Sequence, residues 1–204
     1  MMAVAKMMVF IVLLGTSVSV APPRTILFFG DSLTAGYGLS PEEAFPALIE
    51  QNLRKQGKDV KAVNAGLSGE TSAGGLSRID WILRQPVDVF VLELGANDGL
   101  RGLPVTDTRQ NLQRIIDKVR GKYPNVKIVM AGMMVPPNMG KTYADEFKKI
   151  YPELARANGA TLIPFLLEGV AGDDKLNQAD GIHPNAKGHQ LVARHVQSFL
   201  EKLF

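Results

Sequence analysis

Apolar and polar positions alternate along this chain in blocks. Short, nearly unbroken apolar runs occur at Ile26–Phe29, Val60–Val63, Val87–Leu94, Lys127–Ala131 and Thr161–Phe165. Runs of that length and continuity read as strands buried on both faces. The segments between them have helical spacing. Glu42–Gln56 opens after Ser40-Pro41 and closes at Gly57, a start signal and a stop signal in the expected places. Thr71–Arg84 repeats Leu76, Ile79, Ile82 and Leu83, and Thr106–Arg120 places Leu112, Ile115, Ile116 and Val119 on one face. Tyr143–Asn158 contains Pro152, which is expected to kink or restart that helix. A last helix is predicted from about Asn185 to Leu203.

Five strands separated by helices imply a parallel sheet covered on both faces, an α/β fold in three layers. No repeat, linker or low-complexity tract divides it, so residues 22–204 are read as one domain. In such sheets ligands bind beyond the carboxyl ends of the strands. The segments that follow the five strands are Gly30-Asp-Ser-Leu, Asn64 to Thr71, Gly95-Ala-Asn-Asp-Gly99, Gly132 to Asn138 and, before the last helix, Asp180-Gly-Ile-His-Pro184. Small, polar and reactive residues gather where the fold puts a site.

Residues 1–21 break the pattern. Lys6 is their one charge, Met7–Leu14 is continuously apolar, and Gly15–Ala21 is mostly small. That is the layout of a secretory signal peptide, so export to the periplasm or the medium is expected. The alternative is an uncleaved segment that tethers the protein to a membrane, although the uncharged stretch is shorter than the ~20 residues of a spanning helix. Over all 204 residues the composition is that of a soluble domain, 46% hydrophobic and 21% charged, with a formal net charge of +3. So small a charge, without a dense basic patch, argues against nucleic acid as a partner. The chain has no cysteine, which excludes a thiol nucleophile, a disulfide and a thiolate metal site. Its three histidines, His183, His189 and His195, are six apart, a spacing that does not suit metal ligands on one helix face. No metal is expected.

Acyl transfer to water needs a nucleophile, a base and donors for the oxyanion. Ser32 is a strand-end hydroxyl next to glycine. His183 supplies the base, and Asp180, three residues earlier, can hold its imidazole in one tautomer. Asn97 offers a side-chain amide, Gly69 a backbone N–H near a helix start, and Ser32 its own N–H. Taken singly, each has an ordinary explanation as a turn or cap residue. Their joint occurrence in order, each at a strand's end, is what points to hydrolysis.

These residues carry a family resemblance. Gly-Asp-Ser-Leu (Gly30–Leu33), Ser-Gly-Glu-Thr (Ser68–Thr71), Gly-Ala-Asn-Asp (Gly95–Asp98) and Asp-Gly-Ile-His-Pro-Asn (Asp180–Asn185) resemble the four marks of the GDSL or SGNH hydrolases. The likeness spans the chain after residue 21. Leu94–Pro104, Val135–Gly140 and Ile150–Ala155 are similar to the bacterial periplasmic branch of thioesterase I, arylesterase and lysophospholipase L1. The resemblance implies a flavodoxin-like sheet of order 2-1-3-4-5, a Ser32–His183–Asp180 triad, and an oxyanion hole of Ser32, Gly69 and Asn97. Gly66 stands near Gly69; the match of Ser-Gly-Glu-Thr to the branch's Ser-Gly-Asp-Thr selects Gly69. Glu70 and Ala96 depart from the usual Asp and Gly, and neither change removes a catalytic group.

The implied substrate is a small acyl ester, with acyl thioesters or lysophospholipids in the same class. Gly99, Leu100 and Leu103 resemble a loop that closes over the acyl chain, and Val135 and Pro136 are placed in the same groove. The implied mechanism requires no cofactor, and a monomer is expected. A carbohydrate acetylesterase of the same superfamily would share the triad and differ in the acyl pocket. A catalytically silent exported binding module is the non-enzymatic alternative. A flavin or phosphate binder is disfavoured, because Asp31 in the first turn would repel phosphate.

Overall fold

A computed structural model of the chain describes residues 22–204. The expected export segment, residues 1–21, lies outside the described residues. The strands are β1 (Arg24–Gly30), β2 (Val60–Gly66), β3 (Val89–Glu93), β4 (Lys127–Ala131) and β5 (Thr161–Ile163). The helices are α1 (Ser32–Ala35), α2 (Phe45–Lys55), α3 (Ser72–Ile82), α4 (Ala96–Leu100), α5 (Val105–Lys122), α6 (Lys141–Ala157) and α7 (Ala186–Leu200). All strand pairs are parallel, in the order β2-β1-β3-β4-β5. Helices α2 and α7 pack together, and α3, α5 and α6 pack in succession, covering the two faces of the sheet.

Burial follows strand position. Ile26, Leu27, Phe28 and Phe29 of β1 have no exposed surface, as a central strand requires. Strand β2, at an edge, is only half-buried and carries Lys61 and Asn64 outward. Between β1 and β3 the winding reverses: β2 continues the sheet to one side and β3 to the other. The crevice beyond that reversal is where ligands bind in open α/β sheets. Gly30, the last residue of β1, faces Gly66 on one side and Glu93 on the other.

Two expectations need adjustment. Pro152 does not restart its helix; α6 runs unbroken from Lys141 to Ala157 around it. Phe147, Ile150, Tyr151, Leu154 and Ala155 are all buried, so apolar contacts grip both halves. Burying Phe147, Ile150 and Leu154 contributes about 1.5–3 kcal/mol each, which outweighs the ~3 kcal/mol cost of an interior proline. Strands β3 and β5 are shorter than the apolar runs that predict them; β5 stops before Pro164, which cannot donate to the ladder.

Candidate active site

Helix α1 begins one residue after β1. Asp31 caps it, accepting the Leu33 N–H through Oδ1 at 3.0 Å, and Gly36 ends it with a φ of 76°. This tight exit holds Ser32 at the first helical position, buried but 9% exposed, directly beyond the strand. Its N–H has no acceptor among the described residues.

His183 arrives from the loop before α7. Its Nε2 lies 2.9 Å from Ser32 Oγ, and its Nδ1 lies 2.7 Å from Asp180 Oδ2. The second Asp180 oxygen accepts the N–H groups of Ile182 and His183 at 2.9 and 3.0 Å. These bonds, led by the backbone N–H of His183 and then its ring, hold the Asp180 carboxyl down at about 2. A carboxylate so fixed selects the tautomer with a proton on Nδ1 and leaves Nε2 to accept from Ser32. The loop is laced to α1's exit by Gln178, whose Nε2 donates to Tyr37 O at 2.6 Å and Pro184 O at 3.1 Å. Tyr37 lies against the imidazole, with ring centroids 4.6 Å apart.

The other histidines do structural work. Buried His189 accepts the Phe45 N–H on Nδ1, and burial pushes it down to about 4, so it stays neutral. His195 Nε2 pairs with Phe165 O at 3.0 Å.

Gly69 and Gly66 differ in what they have left to offer. The Gly66 N–H is taken by Asn64 Oδ1 at 2.9 Å, and a Cβ there would collide with the Ala35 backbone. Gly69 has a φ of 79°, which favours glycine, and its N–H has no acceptor among the described residues. The turn carrying it is fastened three ways. Leu67 N donates to Gly30 O at 3.0 Å, and Arg101 donates to Gly69 O at 2.9 Å. Buried Glu70 pairs with Arg78, which also donates to Ala65 O at 2.8 Å and lies over the Phe29 ring.

Asn97 sits in the first turn of α4. Its Nδ2 donates to Asp31 Oδ2 at 3.0 Å. The adjacent Asp98, fully buried, accepts from Ser72 N, Ser72 Oγ and Thr108 Oγ1, which ties α4 to α3 and α5. So Ser32, His183, Asp180 and Asn97 are joined directly or through Asp31, and the Gly69 turn is tied to the end of β1.

The five residues expected in the acyl groove divide. Gly99 is buried, and a side chain there would strike Val135, so these two pack together. Leu103 is half-buried, with its carbonyl held by Tyr143 Oη at 2.8 Å. Leu100 and Pro136 are exposed. Exposed Tyr37, Leu67, Met134 and Ile182 come from the same group of strand-end segments. A cavity of about 430 Å³ at the opposite end of the sheet, lined by Arg24, Val89, Lys122 and Lys127, holds none of these groups.

Sequence reading missed Glu93. It is fully buried, and its Oε2 accepts Asp31 N–H at 3.1 Å, Thr34 N–H at 3.2 Å and Thr34 Oγ1–H at 2.6 Å. Its Oε1 has no partner among the described residues. Burial and the neighbouring Asp31 push the Glu93 carboxyl well above the usual range. Burial raises Asp31 as well, to about 6, against the lowering effect of its hydrogen bonds to Leu33 and Asn97. The one available signal was a lone carboxylate ending an apolar strand.

The chain is similar to known proteins over most of its length. The model of the GDSL-like Lipase/Acylhydrolase family matches residues 28–191. The arylesterase of Vibrio mimicus is 40% identical over 178 residues, 87% of this chain and 88% of that one. The thioesterase 1/protease 1/lysophospholipase L1 of Escherichia coli K12 is 39% identical over 184 residues, 90% of this chain and 86% of that one. The crystal structure of TesA superposes with a TM-score of 0.84 at 38% identity, covering 89% of this chain and all of that one.

Proposed function

This chain belongs to the GDSL-like lipase/acylhydrolase family, and we propose that it cleaves carboxylic esters with Ser32 as nucleophile, His183 as general base and Asp180 as orienting carboxylate. Ester hydrolysis is the activity class of its named relatives. The observation that carries the assignment of residues is the unbroken line from Asp180 Oδ2 through His183 to Ser32 Oγ, with steps of 2.7 and 2.9 Å.

His183 Nε2 takes the Ser32 proton as Oγ attacks the acyl carbonyl, and the imidazolium so formed is stabilised by anionic Asp180. Negative charge on the carbonyl oxygen is met by the N–H groups of Ser32 and Gly69 and by the Asn97 amide. His183 then gives its proton to the departing alcohol or thiol. Water enters and attacks the acyl carbon as His183 takes its proton; the bond to Ser32 Oγ then breaks, His183 returns the proton to Oγ, and the acid departs. Acyl thioesters and lysophospholipids fit the same chemistry, because only the leaving group changes. Leu100, Leu103, Val135 and Pro136, with Gly99 making room, supply the apolar surface for the acyl chain.

Export is part of the proposal and rests on the pattern of residues 1–21; among the described residues no helix is long and apolar enough to cross a membrane. A monomer suffices, since one chain supplies every group named.

The test is hydrolysis of p-nitrophenyl esters of increasing chain length by the purified protein beside Ser32→Ala. The wild type turns over medium-chain esters and the variant loses at least ~10³-fold. Full activity in Ser32→Ala refutes the assignment, and strict preference for acetyl refutes the apolar acyl groove.

A further inference from the structure

An oxyanion donor is useful only if it points the right way, and a carboxamide has two ends of nearly equal shape. Turned about, Asn97 would present its oxygen where its N–H₂ group should be, and would repel the developing charge. Something must choose the orientation.

Asp31 is placed to do so. Its side chain is fully buried, and Oδ1 is committed to the Leu33 N–H. That fixes Oδ2 as the atom facing Asn97, 3.0 Å from Nδ2. An ionised carboxylate accepts and cannot donate. It therefore holds the nitrogen end of the amide and rejects the oxygen end. The Asp31 main chain is held in turn by Glu93 Oε2, which also takes both Thr34 donors.

We propose that Asp31 is a positioning residue of the oxyanion hole: it locks the Asn97 carboxamide with its N–H₂ end available to the substrate, and Glu93 anchors Asp31 from behind. The inference rests on the assignment of Ser32 and Asn97 above. The charges around the pair agree with it. Two adjacent buried carboxyls do not both ionise readily. Burial and the neighbouring Asp31 charge both raise the Glu93 carboxyl, which favours its neutral form and leaves the charge on Asp31. The other charged or titratable groups acting on this pair are His183 from the loop before α7, which favours the ionised form of Asp31, and Tyr151 from α6, itself raised by burial, then by Asp98, and then by Glu93 and Asp31.

Asp31→Asn is the informative change because it preserves shape and removes only the acceptor. The new amide keeps its oxygen on Leu33 N–H and turns its N–H₂ toward Asn97, which must then reverse. The expected result is a fall in kcat of about 10²–10³-fold, the cost of one oxyanion donor, with KM within about threefold. A second measurement separates positioning from general damage. Asn97→Ala costs a similar factor, and Asp31→Asn combined with Asn97→Ala costs no more than Asn97→Ala alone, since residues acting through one another are not additive. The inference is overturned if Asp31→Asn keeps kcat within about threefold of wild type, or if the double variant loses the product of the two single factors. If Ser32→Ala remains active, the underlying assignment fails. If Ser32→Ala is dead and Asn97→Ala costs its donor while Asp31→Asn costs nothing, only the positioning role fails.

Discussion

Asp31 makes a prediction about stability that is independent of turnover. Its carboxyl rises from 3.8 in an unfolded chain to about 6 in the native protein, chiefly because burial disfavours the charge. The folded state therefore binds this proton more tightly than the unfolded state does. Stability from this group is fully present below 3.8 and is lost as the pH rises through 6. A displacement from 3.8 to about 6 corresponds to on the order of 3 kcal/mol at neutral pH. Asp31→Asn removes the ionisation, so it recovers most of that energy near pH 7.5 and little near pH 4. Any cost of rearranging Asn97 is common to both conditions and cancels in the difference. Unfolding in urea, wild type against variant at about pH 4 and about pH 7.5, should give a change in relative stability on the order of 2–3 kcal/mol. In a thermal melt this is about 5–10 °C for a chain of this size. The same variant is expected to be more stable at neutral pH and less active. A relative gain below about 0.5 kcal/mol between the two conditions would refute the assignment of a buried charge to Asp31.

Two further changes probe other parts of the site. Asp180→Asn should lower kcat by on the order of 10³–10⁴-fold by permitting the wrong imidazole tautomer, while the melting temperature moves little because the Asp180 side chain is 38% exposed; a loss under about tenfold in steady-state kinetics would exclude it from the triad. Arg78→Met should leave buried Glu70 without its cation, at a cost of about 3–5 kcal/mol, read as a fall of roughly 10 °C in Tm, and an unchanged melt would show that the Glu70–Arg78 pair does not hold the Gly69 turn.

Much of this architecture is legible along the chain because its signals are local and strong. Four-residue apolar runs bounded by glycine, such as Ile26–Phe29 before Gly30, mark buried strands, and their alternation with helical periodicity implies parallel pairing. The hydrogen-bonded trio proposed as the triad is legible because Ser32, Asp180 and His183 each stand at a strand-end segment of unusual composition. What could not be read is whatever lacks a periodic signal or depends on distant pairing. Helices α1 and α4 have four and five residues, too few for a hydrophobic repeat, yet they carry Ser32 and Asn97. Arg78 reads as an exposed position of an amphipathic helix, and only the packing of α3 brings it over Phe29 and onto Glu70. Tyr37 reads as a turn residue between two glycines until the loop before α7 sets His183 against it.

The meaning of Gly-Asp-Ser changes most when Glu93 is included. A side chain at residue 30 would overlap Thr34 Oγ1 and both the carboxyl and carbonyl oxygens of Glu93. Glycine there admits the Glu93 carboxyl beside the end of β1, where sheet order reverses and the two strands present their last residues side by side. Glu93 can then hold the Asp31 backbone, and Asp31 can cap α1 with one oxygen and hold Asn97 with the other. In the proposed mechanism the serine performs the chemistry, and its two predecessors fix the strand exit and the proposed oxyanion donor relative to it. Substituting Gly30 should therefore disturb Asn97 as much as Ser32, although a side chain there would meet Thr34 and Glu93 first.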